Sequence, residues 1–387
     1  MVIGPGYRES GRRVAISGGY FVQGLCFASL LTQVPVLQDR YRISDTGLTL
    51  LLAIVPVVAG LGSVLAGMVA ERWGSALVLR VAQPIVCLAV LGCGVSTLRV
   101  GLYVSLAVFG IGIGAVDAAM NMQGVGLERR YGRSILASFH AVWSAAGIIG
   151  SLVTSATNHW RLPVWAGFGV VAVVGIAISV AGGPKLIDRA TERTLAPDQM
   201  ATKPVIPWRP IVLIGLAVTL MYVADSATSN FSAKYLADVL KSGTTLMSWG
   251  YAAYQGCMLA GRLVADPAVR RFGPVATVRG GVVVAMAGLG LVVAAQNAVT
   301  GIVGFGLLGV GLCVVVPQSF SAAGRYDPTG SGVAIARVNV FNYVGFLLGA
   351  PVVGLVGSTV SWRVGFAVPL VLIGLIIPLA GSFRPHR

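Results

Sequence analysis

The sequence predicts an all-α integral membrane protein with twelve transmembrane helices in two related halves. Three observations support this prediction: charge is scarce, apolar runs are long and continuous, and both halves share a spacing of glycines and charges. Of the 387 residues, 56% are hydrophobic and 11% are charged, whereas a soluble globular domain carries about 25% charged residues. Protein cores alone do not explain this deficit, so a lipid bilayer is the expected surrounding.

The charged residues lie in short islands between apolar runs of roughly 20 residues, the length at which a helix crosses about 30 Å of hydrocarbon. The runs are continuous rather than alternating, which favours helices over a β-barrel. The first run follows Arg12 and Arg13 without a small-residue cleavage site, so we interpret it as a membrane helix and not as a signal peptide. The predicted spans are 14–37, 46–70, 76–98, 101–123, 135–156, 162–182, 210–236, 245–266, 274–295, 299–321, 331–357 and 362–382.

Basic residues are distributed unequally between the two predicted sides of the membrane. They concentrate in the N-terminal segment, in the loops after even-numbered spans and in the C-terminal segment, whereas the opposite loops hold Arg40, Arg42, Arg99, Arg161 and Lys241. Because cytoplasmic loops carry an excess of Arg and Lys, we expect a multi-pass protein with both termini in the cytoplasm. This flanking pattern also accounts for the net charge of +15, so no nucleic-acid partner is expected.

The longest polar segment divides the predicted spans into two sets of six. We expect an N-terminal bundle over 1–183, a cytoplasmic linker over 184–209 and a C-terminal bundle over 210–387, with a short helix in the linker near DRATERTL. The segments GMVAERWGSALVLR (67–80) and GRLVADPAVRRFGPVATVR (261–279) occupy equivalent places in the halves and share the order Gly, acid, base, Gly, apolar run. Parallel repeats of six spans are a known plan for transporters.

At these two segments the chain resembles the major facilitator superfamily, and the resemblance covers essentially its whole length. The family motif reads Gly-x-x-x-Asp-Arg-x-Gly-Arg-Lys, and the first copy here has Glu in place of Asp. The matching residues are Gly67, Glu71, Arg72 and Gly74 in the first copy and Gly261, Asp266, Arg270 and Arg271 in the second. The resemblance implies two pseudo-symmetric six-helix bundles and a gating loop, whose charges stabilise the outward-open state from the cytoplasmic side.

The segment 117–151 also resembles a bacterial branch of this family that is loosely similar to fucose-permease-like sugar:proton symporters. That resemblance implies a secondary active transporter in the bacterial cytoplasmic (inner) membrane, which moves a small polar, sugar-like solute by alternating access with proton coupling. Proton-driven efflux of drugs or metabolites is the second interpretation. It ranks below the first because span 4 lacks the arginine and span 5 lacks the proline motif of drug antiporters. An uncoupled facilitator is a further alternative, and a membrane sensor ranks last.

Polar residues inside the predicted spans are the candidate functional residues, because an ionisable group in the membrane needs a cavity or a partner. Asp117 lies about 18 Å from Arg129 along span 4, close to the bilayer midplane. Asn121 shares the face of Asp117, and antiparallel packing predicts His140 of span 5 at a similar depth to Asn121. The pattern fits either a proton-titratable cavity or a polar clasp between spans 4 and 5.

The second half contributes Asp225 in span 7 and Arg337 in span 11, with a structural ion pair as the alternative to a functional role. Spans 1, 4, 7 and 10 line the cavity in the family, which adds two glutamines to the candidates. The predicted substrate-binding or proton-coupling residues are Asp117, Asn121, His140, Asp225, Arg337, Gln23, Gln318 and Asn342.

No nucleotide-binding loop, metal-ligand spacing or paired nucleophile and base is recognisable in the sequence, so we expect neither enzymatic activity nor a cofactor or metal. The five cysteines fall within predicted spans and are interpreted as apolar thiols. The expected partners are a small-molecule substrate, protons and the lipid bilayer, and the expected state is a monomer.

Overall fold

The computed structural model describes residues 5–194, 206–327 and 330–384, and within these ranges it contains helices and no strands. The predicted all-α fold is therefore confirmed. The helices, in chain order, are α1 (Pro5–Thr32), α2 (Val34–Tyr41), α3 (Asp45–Trp73), α4 (Ser75–Val95), α5 (Arg99–Tyr131), α6 (Leu136–His159), α7 (Val164–Gly182), α8 (Arg189–Thr194), α9 (Trp208–Asp238), α10 (Thr244–Met247), α11 (Trp249–Phe272), α12 (Pro274–Ala294), α13 (Ala298–Leu312), α14 (Val315–Arg325), α15 (Val333–Thr359), α16 (Trp362–Gly374) and α17 (Ile376–Leu379).

Eleven helical stretches of the described chain are long and apolar enough to cross a membrane. The remaining predicted span, 245–266, corresponds to α10 and α11. The α11 helix has 24 residues, a length of about 36 Å, but Arg262 and Asp266 make it more polar than the other spans. The short helix expected in the linker is present as α8, whereas residues 195–205 of the linker lie outside the described part.

Four predicted spans are not continuous helices, which corrects the sequence-based boundaries. Span 245–266 is divided at Ser248, between α10 and α11, and the other three spans are divided before a proline. The chain leaves helical geometry between α1 and α2, between α13 and α14, and between α16 and α17. Each interruption lies shortly before a proline, at Pro35, Pro317 or Pro378. Proline has no N–H for the carbonyl four residues earlier, so the helical hydrogen-bond ladder is open at that point.

The chain divides into two compact units. Unit 1 consists of Met1–Gly132, Val142–Val205 and Asp327–Asn339, and unit 2 consists of Arg133–Ala141, Ile206–Tyr326 and Val340–Arg387. The division crosses two helices, because the first turns of α6 belong to unit 2 and the first turns of α15 belong to unit 1. The boundaries predicted for the two bundles and the linker stay a prediction.

Glycine permits close helix packing in unit 1, where α5 lies along α3 and α4. A Cβ atom at Gly114 of α5 would overlap the carbonyl oxygen of Ala59 in α3, and one at Gly62 of α3 would overlap the carbonyl oxygen of Ile111 in α5. Small residues allow such backbone contact between membrane helices, where van der Waals packing replaces the hydrophobic effect as the main attraction.

An aromatic cluster fills the centre of unit 2. Tyr235 of α9 meets Phe366 of α16 edge-on at 5.0 Å between ring centroids, and Phe305 of α13 meets Phe366 at 5.5 Å. The Tyr235 hydroxyl donates to the carbonyl of Val292 at 2.6 Å. Edge-to-face pairs add to the free energy of burial, so this cluster fixes α9, α13 and α16 around one core.

The two repeated glycine segments have the same local geometry in their separate units. Gly74 ends α3 with φ 89° and ψ 152°, and Gly273 ends α11 with φ 80° and ψ 162°. Both angles lie where a residue with a Cβ is strained. The predicted repeat is thus seen in the structure as a similar sharp turn between consecutive helices.

Candidate functional site

The first candidate site lies in unit 1 between α1 and α5, and we call Tyr20, Asp117 and Asn121 the α1–α5 cluster. The fully buried Tyr20 hydroxyl donates to Asn121 Oδ1 at 2.8 Å. Asn121 Nδ2 donates to the carbonyl of Asp117 at 2.8 Å and approaches its carboxylate Oδ1 at 3.4 Å. Asp117 itself is half-buried. The predicted residues Asp117 and Asn121 therefore lie together. Tyr20, which sequence reasoning missed, holds Asn121 in place.

The polar face of α6 bonds to α1, a partner that the sequence did not predict. Trp143 donates its indole N–H to the buried Gln23, which was predicted as a cavity residue. Further along, Thr32 donates to Ser151 at 3.0 Å, and Gln33 is bonded to α6 as well. Gln23 is therefore engaged by a side chain of its own unit, and the stripe of polar residues on α6 serves helix packing in unit 1.

The second candidate site lies in unit 2 between α9 and α11. We call its members the α9–α11 cluster: Tyr222, Asp225, Ser229, Tyr251, Tyr254, Gln255 and Arg262. The buried Tyr254 hydroxyl donates to Asp225 Oδ1 at 2.6 Å, and Gln255 donates to the Tyr251 hydroxyl at 2.6 Å. Asp225 is half-buried, so the predicted carboxylate is bonded to the protein yet still accessible on one side.

Arg262 of α11 is the main candidate residue that sequence reasoning missed. Its side chain is 5% exposed, and it interacts electrostatically with Asp225 and Tyr254. Its Nη1 donates to the backbone carbonyl of His140 at 3.3 Å. Arg262 follows Tyr254 by eight residues and Gln255 by seven, so their helical spacing on one face was the available signal.

His140 is buried near this cluster, but its ring contacts an aromatic side chain. The imidazole stacks on Phe320 with ring centroids 6.2 Å apart and an angle of 7° between the planes. The predicted candidate Arg337 is half-buried on α15 within unit 1, and the candidate Asn342 is 4% exposed on α15 within unit 2. The α9–α11 cluster thus forms around Asp225 from residues other than these three.

The second glycine segment binds the start of α6 through Asp266. The Asp266 carboxylate accepts hydrogen bonds from the Ser134 hydroxyl at 2.8 Å, from the Ala137 N–H at 3.2 Å and from the Ser138 N–H at 2.9 Å. Arg270 donates to the Ser134 carbonyl at 2.8 Å. A carboxylate at the first turn of a helix satisfies free N–H groups and complements the helix dipole. Asp266 and Arg270 therefore act together on one helix end.

Gln318, predicted as a cavity residue, also belongs to this contact region. It is 2% exposed and lies on α14. Its amide donates to the Ser134 hydroxyl at 3.3 Å. The geometry places Gln318 at the start of α6 next to the Asp266 carboxylate, and not in the α9–α11 cluster.

The first glycine segment is bound differently, through the linker. Glu71 and Arg72 are exposed at the end of α3; the Glu71 carbonyl accepts from Arg189 at 2.9 Å, and the Arg72 guanidinium lies 5.1 Å from the centroid of the adjacent Trp73 ring. The Cβ of Arg189 would lie 2.9 Å from a Cβ atom at Gly74. The linker helix α8 thus packs directly on the turn between α3 and α4.

Glu192 of α8 provides the polar contact of the linker with α4 and α5. Its carboxylate accepts from the Ser75 N–H at 3.3 Å, from the Ser75 hydroxyl, and from Gln123 Nε2 at 3.2 Å. Gln123 also exchanges two hydrogen bonds of 2.8 Å with the backbone of Ile187. Burial raises the pKa of Glu192 to about 7. The linker therefore carries a carboxylate that titrates near neutral pH.

The start of α15 is capped by its own preceding loop. Asp327 accepts the Gly332 N–H at 2.6 Å, and the Ser331 hydroxyl accepts the Val333 N–H at 3.4 Å. Arg129 donates to the Asp327 carbonyl at 3.2 Å. The starts of α6 and α15 are therefore capped differently. Asp266 of α11 caps α6 from another helix, whereas Asp327 caps α15 from the segment that precedes it.

Among the residues that the structure describes, no group of three or more His, Cys, Asp or Glu side chains could hold a metal ion. The chemistry available in both clusters is proton exchange and hydrogen bonding. Each cluster combines one half-buried carboxylate with a buried tyrosine hydroxyl, and the α9–α11 cluster adds a buried guanidinium.

Comparisons with known proteins agree with the fold. The model of the Major Facilitator Superfamily matches residues 16–224 and 214–387. An uncharacterized transporter of this type from Yersinia pestis is 27% identical over 373 residues, which covers 96% of this chain and 95% of that protein. The membrane protein MosC of Rhizobium meliloti is 28% identical over 389 residues, covering 95% of this chain and 89% of its own length.

Solved structures show the same architecture at lower sequence identity. FucP in the outward conformation matches with a TM-score of 0.80 and 13% identity over 96% of this chain and 98% of that one. The human organic anion transporter MFSD10 matches with a TM-score of 0.81 and 13% identity over 98% and 100%. The resemblance stated from the glycine segments is confirmed: the chain belongs to the Major Facilitator Superfamily and is a multi-pass membrane transporter.

Proposed function

We propose that the protein is a proton-coupled secondary transporter that moves a small polar solute by alternating access. We place it in the cytoplasmic membrane with both termini in the cytoplasm, because of the distribution of basic residues. We propose a monomer as its working state. Proteins of this fold include a fucose:proton symporter and an organic anion transporter. Because proteins of this fold carry different solutes, we argue the coupling residues from the polar clusters of the two units.

The observation that carries the proposal is the pairing of Asp225 with Tyr254 between two neighbouring predicted spans. The carboxylate is half-buried and accepts a hydrogen bond of 2.6 Å from a buried hydroxyl. An ionisable group at that depth has a structural partner or a functional role. Here it has a partner and remains accessible, which suits a group that gains and loses a proton during transport.

Asp117 is the second candidate for proton coupling. Its carboxylate lies 3.4 Å from the Asn121 amide, and Asn121 is held by Tyr20. We assign His140 a packing role, because its ring stacks on Phe320 and its carbonyl binds Arg262. The proposed coupling residues are therefore the two carboxylates, one in each unit.

The test is a proton-flux measurement in liposomes that contain a pH-sensitive dye. Wild type, Asp117→Asn and Asp225→Asn would be compared while sugars, organic anions and amphipathic cations are added outside. Asp238→Asn is the matched control, because this α9 carboxylate is 50% exposed and pairs with Lys234 at the helix end. The proposal expects one compound to drive proton movement in wild type and in the control but not in at least one of the two cluster variants.

Other outcomes identify the alternatives. Solute uptake that ignores a pH gradient would make the protein an uncoupled facilitator. A proton response to amphipathic cations alone would favour drug efflux. Equal proton fluxes in both cluster variants and in wild type would remove the two carboxylates from coupling.

A further inference from the structure

One arginine in each unit occupies an equivalent position of the repeated segment and makes the same contact. Arg80 of α4 and Arg279 of α12 are each the sixth residue after the glycine that ends the preceding helix. Arg80 Nε donates to the carbonyl of Gly183 at 2.8 Å. Arg279 Nε donates to the carbonyl of Ile377 at 3.1 Å. Both acceptors lie close to the end of the sixth predicted span of their half, so this contact occurs twice in the chain.

The bond through Nε orients each guanidinium and leaves its two terminal nitrogens for another acceptor. Arg80 and Arg279 are both exposed. Among the residues that the structure describes, neither side chain makes a further hydrogen bond or an ion pair within 4 Å. Asp188 acts on Arg80 from a greater distance, but it is exposed as well, so water and salt screen its charge.

The helix surface beside each arginine is apolar. Four side chains of α4, each at least 40% exposed, recur there at helical spacing: Leu77, Val81, Ile85 and Leu88. On α12, Val283 is exposed one turn after Arg279. Arg80 and Arg279 lie five residues, or about 8 Å, from the first residues of their helices. Each guanidinium therefore lies where an apolar helix face, suited to lipid chains, approaches the polar end of the helix.

A second basic residue lies near each arginine at the end of the sixth span. The turn Gly183–Lys185 packs against α4 and ends with the exposed Lys185. The turn Ala380–Phe383 packs against α12 and is followed directly by the exposed Arg384. A second cation strengthens the attraction for an anion and repels the ammonium group of a zwitterionic lipid.

We propose that Arg80 and Arg279 each bind the phosphate of an anionic phospholipid whose acyl chains lie along α4 or α12. The planar guanidinium matches two phosphate oxygens, and the apolar face beside it matches the chains. Basic residues at the cytoplasmic ends of membrane helices favour anionic headgroups in the same way. The lipid is a bound partner and not the transported solute, so the inference goes beyond the proposed function and stands or falls separately from it.

Native mass spectrometry of the detergent-purified protein tests the proposal. Protein stripped of lipid would be titrated with phosphatidylglycerol or with phosphatidylcholine of the same acyl chains. We expect wild type to bind two molecules of phosphatidylglycerol more tightly than any phosphatidylcholine. Arg80→Gln and Arg279→Gln should each lose one of these two sites, with an affinity about fivefold lower at the altered position. The double variant should lose both.

Arg99→Gln is the matched control, because it removes one exposed guanidinium that is already bound by backbone. Arg99 donates its Nε to the Tyr41 carbonyl at 2.8 Å and its Nη2 to the Arg42 carbonyl at 2.9 Å. This variant should bind phosphatidylglycerol as wild type does. An equal loss in Arg99→Gln, or two tight sites that persist in the double variant, would overturn the proposal.

Two further measurements on wild type identify the ligand and keep the test valid if a variant does not fold. Sodium phosphate that displaces phosphatidylglycerol at millimolar concentration would overturn the assignment to a lipid. An increase of sodium chloride from about 50 to about 500 mM should weaken phosphatidylglycerol binding, because salt screens the exposed guanidinium groups. A preference over phosphatidylcholine that is absent, or that salt leaves unchanged, would contradict binding through Arg80 and Arg279.

Discussion

The backbone N–H of Ser138 donates to Asp266 Oδ2 at 2.9 Å, so a carboxylate of α11 caps the first turn of α6. In the other copy of the repeated glycine segment, Glu71 is exposed, and α15 is capped by Asp327 from its own loop. The two copies of the repeated segment thus make different contacts: the acid of the second copy caps a helix, and the acid of the first copy does not. Glu71, which stands where the family has Asp, is the acid that lies at the surface.

We expect Asp266→Ala to destabilise the protein by about 1 to 3 kcal/mol, because three donors at the start of α6 lose their acceptor. Glu71→Ala, the equivalent change in the first copy, should stay within about 0.5 kcal/mol of wild type, as is usual for exposed positions. Thermal unfolding of the detergent-purified proteins measures both. Equal losses in the two variants would contradict the asymmetry.

Docking of the linker helix α8 should weaken as the pH rises towards 8. The pKa of Glu192 is raised from 4.5 to about 7 by burial, so the docked state binds the proton more tightly than the undocked state. The stabilisation by protonation is fully present below pH 4.5 and is lost as the pH rises through about 7. A shift of this size corresponds to at most about 3 kcal/mol.

Hydrogen exchange over residues 187–194, corrected for the intrinsic rate, measures this docking at pH 6 and pH 8. Wild type should be less protected at pH 8. Glu192→Gln retains an oxygen acceptor for Ser75 without an ionisable group, so its protection should be the same at both values. Asp188→Asn is the control at a nearby position, because hydrogen bonds from Thr191 lower the pKa of Asp188 and keep it ionised throughout. A pH effect on exchange that survives in Glu192→Gln would rule out the Glu192 carboxylate as its cause.

Tyr20→Phe should destabilise unit 1 by about 1 to 2 kcal/mol, since the buried Asn121 Oδ1 loses its 2.8 Å donor. Tyr103→Phe on α5 provides the comparison, because Tyr103 is 42% exposed and its hydroxyl can bond elsewhere. If proton coupling involves Asp117, Tyr20→Phe should also change the pH profile of transport, because Asn121 positions that carboxylate. Unfolding temperatures identical to those of Tyr103→Phe would argue against a stabilising role of this bond.

Gly114→Ala should be among the most damaging single changes in unit 1. The added Cβ would overlap the Ala59 carbonyl oxygen, so α3 and α5 must move apart, and overpacking of this kind costs about 1 to 3 kcal/mol or more. Gly169→Ala on α7 meets no atom within 4 Å and should be neutral or slightly stabilising through helix propensity. The yield of monodisperse protein and its unfolding temperature distinguish the two. Tolerance of alanine at Gly114 would show that the helices pack less closely than described.

The amino-acid sequence by itself determined the helical membrane fold, the two related halves and the family, since hydropathy and glycine-charge spacing are local properties of the chain. It also selected Asp117, Asn121 and Asp225, because a charge or amide within an apolar run stands out without knowledge of its neighbours. The structure alone showed that Tyr20 holds Asn121, that Tyr254 donates to Asp225, and that Glu192 binds Ser75 across more than a hundred residues of chain. Such pairings depend on which helix faces meet in space, and a single sequence carries helix periodicity but not the identity of the partner face.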